Sequence, residues 1–160
     1  MRITVYLSLI CVLCVSSFVS ASAVGGMASD IRPVPAPTPA KKGPVFSSYK
    51  GVKIGMPSAE SRKILGKASD ESDEQEHFEI SDKEYVDVYY DTDKTVKAIS
   101  ISYTDPAAAP LPKAVVGSDI EPRPNGSLFQ MVRYPDAGIW VSYSKTAGEG
   151  STVSVTISKL

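Results

Sequence analysis

The sequence predicts an α+β domain: an antiparallel sheet of about six strands with short helices on one face. Three observations carry this expectation. "YVDVYYD" (Tyr85–Asp91) and "GIWVSYS" (Gly138–Ser144) alternate with the two-residue period of half-buried strands. A further alternating stretch follows each of them across a turn. A short helix-forming segment, Ser58 to Leu65, stands between Gly55 and Gly66.

Taken in order, residues 1–23 read as a secretory signal. Arg2 is a minimal positive start, Ile3 to Val19 is apolar apart from Thr and Ser, and Ala21-Ser22-Ala23 is a small-x-small cleavage box. The competing reading is an uncleaved anchor, since such a run approaches the length of a membrane span. Cys11 and Cys14 both lie inside this stretch, without the small preceding residue of a lipidation site. Cleavage therefore removes every cysteine, and with them disulfides, thiol nucleophiles and thiolate metal sites. Residues 24–46 read as a Pro-rich, disordered linker, "PVPAPTPAKKGP" at its centre, with too little apolar surface to fold. It reads as a spacer; a ligand for a proline-reading domain is the sharper alternative.

Residues 47–160 are the expected single domain. Tyr49 to Ile54 reads as a short strand. Gly55-Met56 turns the chain, Pro57 suits a first helical position, and Gly66 suits the C-terminal cap. Met56, Ile64 and Leu65 are the expected core residues of this segment. Ser69 to Glu76 reads as a polar acidic loop and His77 to Ile80 as a strand. Tyr85 to Asp91, the turn "DTDK", and Val96 to Tyr103 make a hairpin. "DPAAAPLPKA" is a Pro-rich crossing. The pattern then returns: "AVVGSD" follows "KILGKA" by 51 residues, "GIWVSYS" follows "YVDVYYD" by 53, and "STVSVTISKL" stands where "KTVKAISISY" stood. The reading is a degenerate duplication, with half-repeats of about 47–104 and 105–160. One half has too few strands to stand alone, so two would share a sheet.

Gly55-Met56 and Leu65-Gly66, followed by "VDVYYDTDKTVKAISI", resemble the recurrent motif of the SmpA/OmlA (BamE-like) outer-membrane assembly lipoproteins and the related fold of beta-lactamase inhibitory protein. The resemblance covers about 55 residues and implies a helix–meander fold. Pro57, Ser61 and Ala68 depart from the pattern, and the lipobox is missing. The apparent duplication is closer to the inhibitor's tandem arrangement. The motif residues make a turn and a cap, so they imply fold and not chemistry.

The chemistry expected is sparse. The formal net charge of −1 offers no basic patch, which argues against nucleic acid. His77 is the single histidine, among carboxylates, and reads as a solvated surface residue. Nine acids stand between Asp70 and Asp87 against Lys83 alone, but without the glycine and spaced glutamate of a calcium loop. No catalytic constellation, cofactor motif or metal spacing appears, so no catalytic, cofactor or metal residue is assigned. Tyr89 and Trp140 fall opposite the core-facing Val86, Val88, Tyr90 and Ile139, Val141, Tyr143, where they are either binding hot spots or rings covered by a loop. The alternation of Phe129, Met131 and Arg133 does not decide their face.

The resulting expectation is an exported protein, periplasmic, outer-envelope-associated or secreted. It has no transmembrane segment after signal cleavage, and its oligomeric state is unassigned. It is a non-enzymatic module that binds a protein or envelope partner through an open sheet face bearing Tyr89 and Trp140. The alternatives are a hydrolase using carboxylates of residues 70–87 and a small-ligand or lipid carrier.

Overall fold

The computed structural model of the protein describes residues 43–160. The expected signal segment and most of the linker lie outside the described residues. The linker's last residue, Phe46, packs against the core.

The chain forms helix α1 (Ser58–Leu65), strands β1 (Asp70–Glu71), β2 (Gln75–Ser81), β3 (Glu84–Tyr90) and β4 (Val96–Tyr103), helix α2 (Pro112–Val116), and strands β5 (Leu128–Tyr134), β6 (Ile139–Lys145) and β7 (Val153–Lys159). A single tight helical turn, Pro135–Ala137, links β5 to β6. All seven strands belong to one antiparallel sheet in the order β1-β2-β3-β4-β7-β6-β5. This is the expected α+β class, with seven strands instead of six. The additional strand is β1, inside the stretch read as a polar loop. Its two residues carry no apolar signal; a turn at Ser72, whose hydroxyl accepts from the Gln75 amide at 3.1 Å, folds it onto β2.

The two meanders meet along β4 and β7. One rung of the core runs Val88, Ile99, Ile157, Val141, every member fully buried. A second runs Phe78, Val86, Ile101, Val155, Tyr143. Both helices lie on this side. Helix α2 contributes buried Val115 and Val116 against β6 and β5, and α1 contributes buried Ser61.

Three local expectations are corrected. Tyr49 to Ile54 is a tight turn instead of a strand: Tyr49 and Val52 form a lone bridge, with Lys50 and Gly51 at φ of 47° and 97°. Gly supplies the left-handed conformation there, and no neighbouring strand is in place to extend the pair. Strand β2 begins at Gln75, two residues before the expected start. Ile64 is 44% exposed and not core, because the inward stripe of α1 runs through Ser61 and Leu65. Met56 and Leu65 are half-buried against the core.

The Gly55-Met56 segment starts the fold. Gly55 adopts φ of 82°, its amide donates to the Val96 carbonyl at 2.8 Å, and the Val96 amide donates to the Met56 carbonyl at 2.8 Å. The turn is thereby fastened to the first residue of β4. Gly66, at φ of 91°, closes α1 by donating to the Arg62 carbonyl at 2.9 Å.

Candidate functional site

Because side chains alternate along a strand, each core rung has a counterpart on the opposite face. That face carries no helix among the described residues. The register gives it three rungs from β3 to β5. One reads Tyr89, Ala98, Ser158, Trp140, Arg133. The next reads Asp87, Ser100, Thr156, Ser142, Met131. The third reads Tyr85, Ser102, Ser154, Ser144, Phe129.

Tyr89 and Trp140 therefore stand on one rung, each half-buried, with Ala98 and Ser158 between them. Three strand steps separate them, about 14 Å at the usual spacing. Burial, and then the Asp87 charge, push the Tyr89 hydroxyl above its ordinary value. Phe129 and Met131, each 43% exposed, fall on this face with Arg133. The Arg123 guanidinium covers the Phe129 ring at 5.2 Å.

The middle of the face is polar and uncharged. On β4, β7 and β6 the three rungs hold nine positions, seven of them Ser or Thr, the others Ala98 and Trp140. Sequence reasoning passed over this block. Its signal was available, since serine or threonine recurs every second residue in "SIS", "SYS" and "SVTIS".

The acidic segment is dispersed among separate partners. Glu76 points into the core, fully buried, and accepts from the Tyr90 hydroxyl at 2.6 Å and from the Arg62 guanidinium. Ser61 completes this network by meeting the Tyr90 hydroxyl at 2.9 Å. Glu84 accepts from the Tyr49 hydroxyl at 2.9 Å. Asp73 pairs with Lys94 at 2.9 Å. Asp87 accepts from Gln75 at 3.0 Å and pairs with His77 Nδ1 at 2.9 Å. His77 also stacks on Tyr85, ring centroids 5.9 Å apart. It is thus a half-buried, partnered residue of the open face and not a solvated one. Among the described residues no three His, Cys, Asp or Glu side chains come together to hold a metal ion, and no helix is long and apolar enough to cross a membrane.

One cleft borders the face and another lies at the β5 end of the sheet. The first, about 360 Å³, opens beside Tyr89, Ala98 and Ser158 at one end of their rung. The other, about 580 Å³, lies between Gly43-Pro44 and the stretch Val132–Ala137. Neither joins convergent carboxylates. No family model, curated protein or solved structure matches the chain.

Proposed function

We propose that this protein is a non-enzymatic binding module that docks a protein or envelope component on the open face of its sheet. The observation that carries the reading is the rung shared by Tyr89 and Trp140. Tyr and Trp bury large areas at small entropic cost, so a pair flanking small side chains suits a docking surface. Where acids do gather, in a pocket of about 290 Å³ lined by Asp73, Glu74 and Asp91, two of the three are ion-paired with Lys94 and Lys159, which favours a binding role over a hydrolase. We further infer that the domain acts outside the cytoplasm, on the strength of residues 1–23, and that its meanders are halves of a duplicated unit. The mirrored order β2-β3-β4 and β7-β6-β5 supports the duplication. The likeness to BamE-like proteins belongs to the same proposal, as a relation of fold.

The test is retention of a component from an envelope extract or culture fluid on the immobilised domain. Tyr89→Ala and Trp140→Ala are expected to abolish retention while lowering Tm by less than about 5 °C, the equivalent of about 1 kcal/mol. Leu111→Ala, 76% exposed beside α2 on the helical side, is expected to retain it. Unfolding of both ring variants would place those rings in the core and remove the docking surface.

A further inference from the structure

We propose that the occupant of the open face is an uncharged polysaccharide chain laid across the strands, with sugar rings stacked on Trp140 and Tyr89. The proposal rests on the reading of that face as a docking surface and names its ligand.

The face inverts the usual plan of a protein interface. Such interfaces have an apolar centre and a polar rim. Here the centre is hydroxyl-bearing, and aromatic rings stand on either side of it. Ser100, Ser102, Ser142, Ser144, Ser154 and Thr156 point their hydroxyls to this face, and none makes a side-chain hydrogen bond to any described residue. Ser142 is the most telling of them. It is only 8% exposed, set on its rung between Met131 and Thr156. Its hydroxyl is open to solvent, since no buried side-chain oxygen or nitrogen among the described residues lacks a partner. A ligand hydroxyl can take the place of the water that such a group meets.

Charge narrows the ligand further. No charged side chain occupies the nine central positions on β4, β7 and β6; Asp87, Arg133, Lys97 and the Asp91–Lys159 pair, 3.0 Å apart, stand at the margins, with both signs present. An anionic chain would want guanidinium or ammonium groups there, and a basic one carboxylates. A neutral sugar chain wants neither. Each ring offers a C–H face for an aromatic side chain and hydroxyls at its edge, each both donor and acceptor. One pyranose unit of an extended β-linked chain advances about as far as one strand step, about 4.8 Å. A chain running along the rung from Trp140 would pass Ser158 and Ala98 and reach Tyr89 three units later. The cleft of about 360 Å³ beside Tyr89 receives its end, where Asp91, Lys97 and Lys159 offer charged groups to sugar hydroxyls.

The experiment is affinity electrophoresis of the protein in native gels that contain hydroxyethylcellulose, barley β-glucan or galactomannan, against polymer-free gels. Retardation by at least one polymer is expected, equal at low and high salt. Trp140→Ala and Tyr89→Ala are each expected to weaken it by about tenfold. Ser142→Ala is expected to weaken it several-fold while Tm stays equal or rises, since the hydroxyl gives up no internal bond. Absence of retardation in every gel, or retardation that survives Trp140→Ala, overturns the proposal. If the gels are blank while a protein is still retained through Tyr89 and Trp140, the polysaccharide is lost and the docking face stands. If that retention fails as well, both readings fall.

Discussion

Glu76 brings a carboxylate onto the rung of Val88, Ile99, Ile157 and Val141, and three side chains make it tolerable there. Arg62 supplies the opposite charge, the Tyr90 hydroxyl donates a short bond, and Ser61 meets the same hydroxyl. Removing one partner leaves a buried polar group unmatched. Tyr90→Phe is therefore expected to cost about 1–3 kcal/mol in urea unfolding, and Arg62→Ala a similar amount, since Arg62 is half exposed and partly screened. Replacing the pair together, Glu76→Leu with Arg62→Met, is expected to return stability to within about 1 kcal/mol of the parent. A double variant no better than the singles would refute this account. Burial, and then the Glu76 hydrogen bond, also push the Tyr90 hydroxyl up to about 12. Tyr49 and Tyr103 are pushed higher still, by burial and by Glu84. A phenol whose folded value exceeds its unfolded one stabilises the fold fully below the unfolded value of about 10 and less as pH rises through the folded value. The domain is thus expected to lose stability steeply above about pH 10, with these three phenolates appearing only as it unfolds. Ultraviolet titration alongside circular dichroism reads both. Three tyrosines ionising in a folded domain would contradict it.

Helix α1 shows what the sequence carried at the scale of an element. Its bounds were legible because Gly55, Pro57 and Gly66 have few other uses in that order, although Pro57 precedes the helix in an extended conformation, bridged to Thr95, instead of taking its first position. Its buried side was not. Apolarity named Ile64, yet the inward position went to Ser61, a small residue that brings the helix close to Tyr90. Polar contacts between a helix and a sheet leave no periodic trace, and the same blindness hid Glu76 among acids that looked solvated. Counting back two residues from Phe78 along β2 would have turned it inward. The consequence is an unusual ranking of substitutions. Ser61→Leu is expected to cost about 1–3 kcal/mol by overpacking, whereas Ile64→Lys changes stability by less than about 0.5 kcal/mol. Thermal melts of the two variants decide it, and equal losses would place Ile64 in the core alongside Ser61. The open face repeats the lesson: Tyr89 and Trp140 stood out as large rings, while the serines between them had no apolar contrast to announce them.

Across the whole molecule the decisive feature is the seam between β4 and β7. The sharing of one sheet by two meanders was readable from their alternation, but the strands that meet were not, since both present apolar residues to one side and serines to the other. The register pairs Ile99 with Ile157 and Ile101 with Val155, all fully buried, so neither meander keeps its core without the other. The domain is therefore expected to unfold in one transition. Trp140, the only tryptophan, reports on the second meander. Tyr89→Trp in a Trp140→Phe background moves the reporter to the first. The two urea curves are expected to share midpoint and slope once the small difference in stability is removed. Ile157→Ala, at the centre of the seam, is expected to lower both midpoints together, by about 2–5 kcal/mol. If the Trp140 signal were lost while the Tyr89→Trp reporter still showed a folded sheet, the meanders would be independent units. A ligand bridging Tyr89 and Trp140 would then have to hold them together, in place of docking on a platform already rigid.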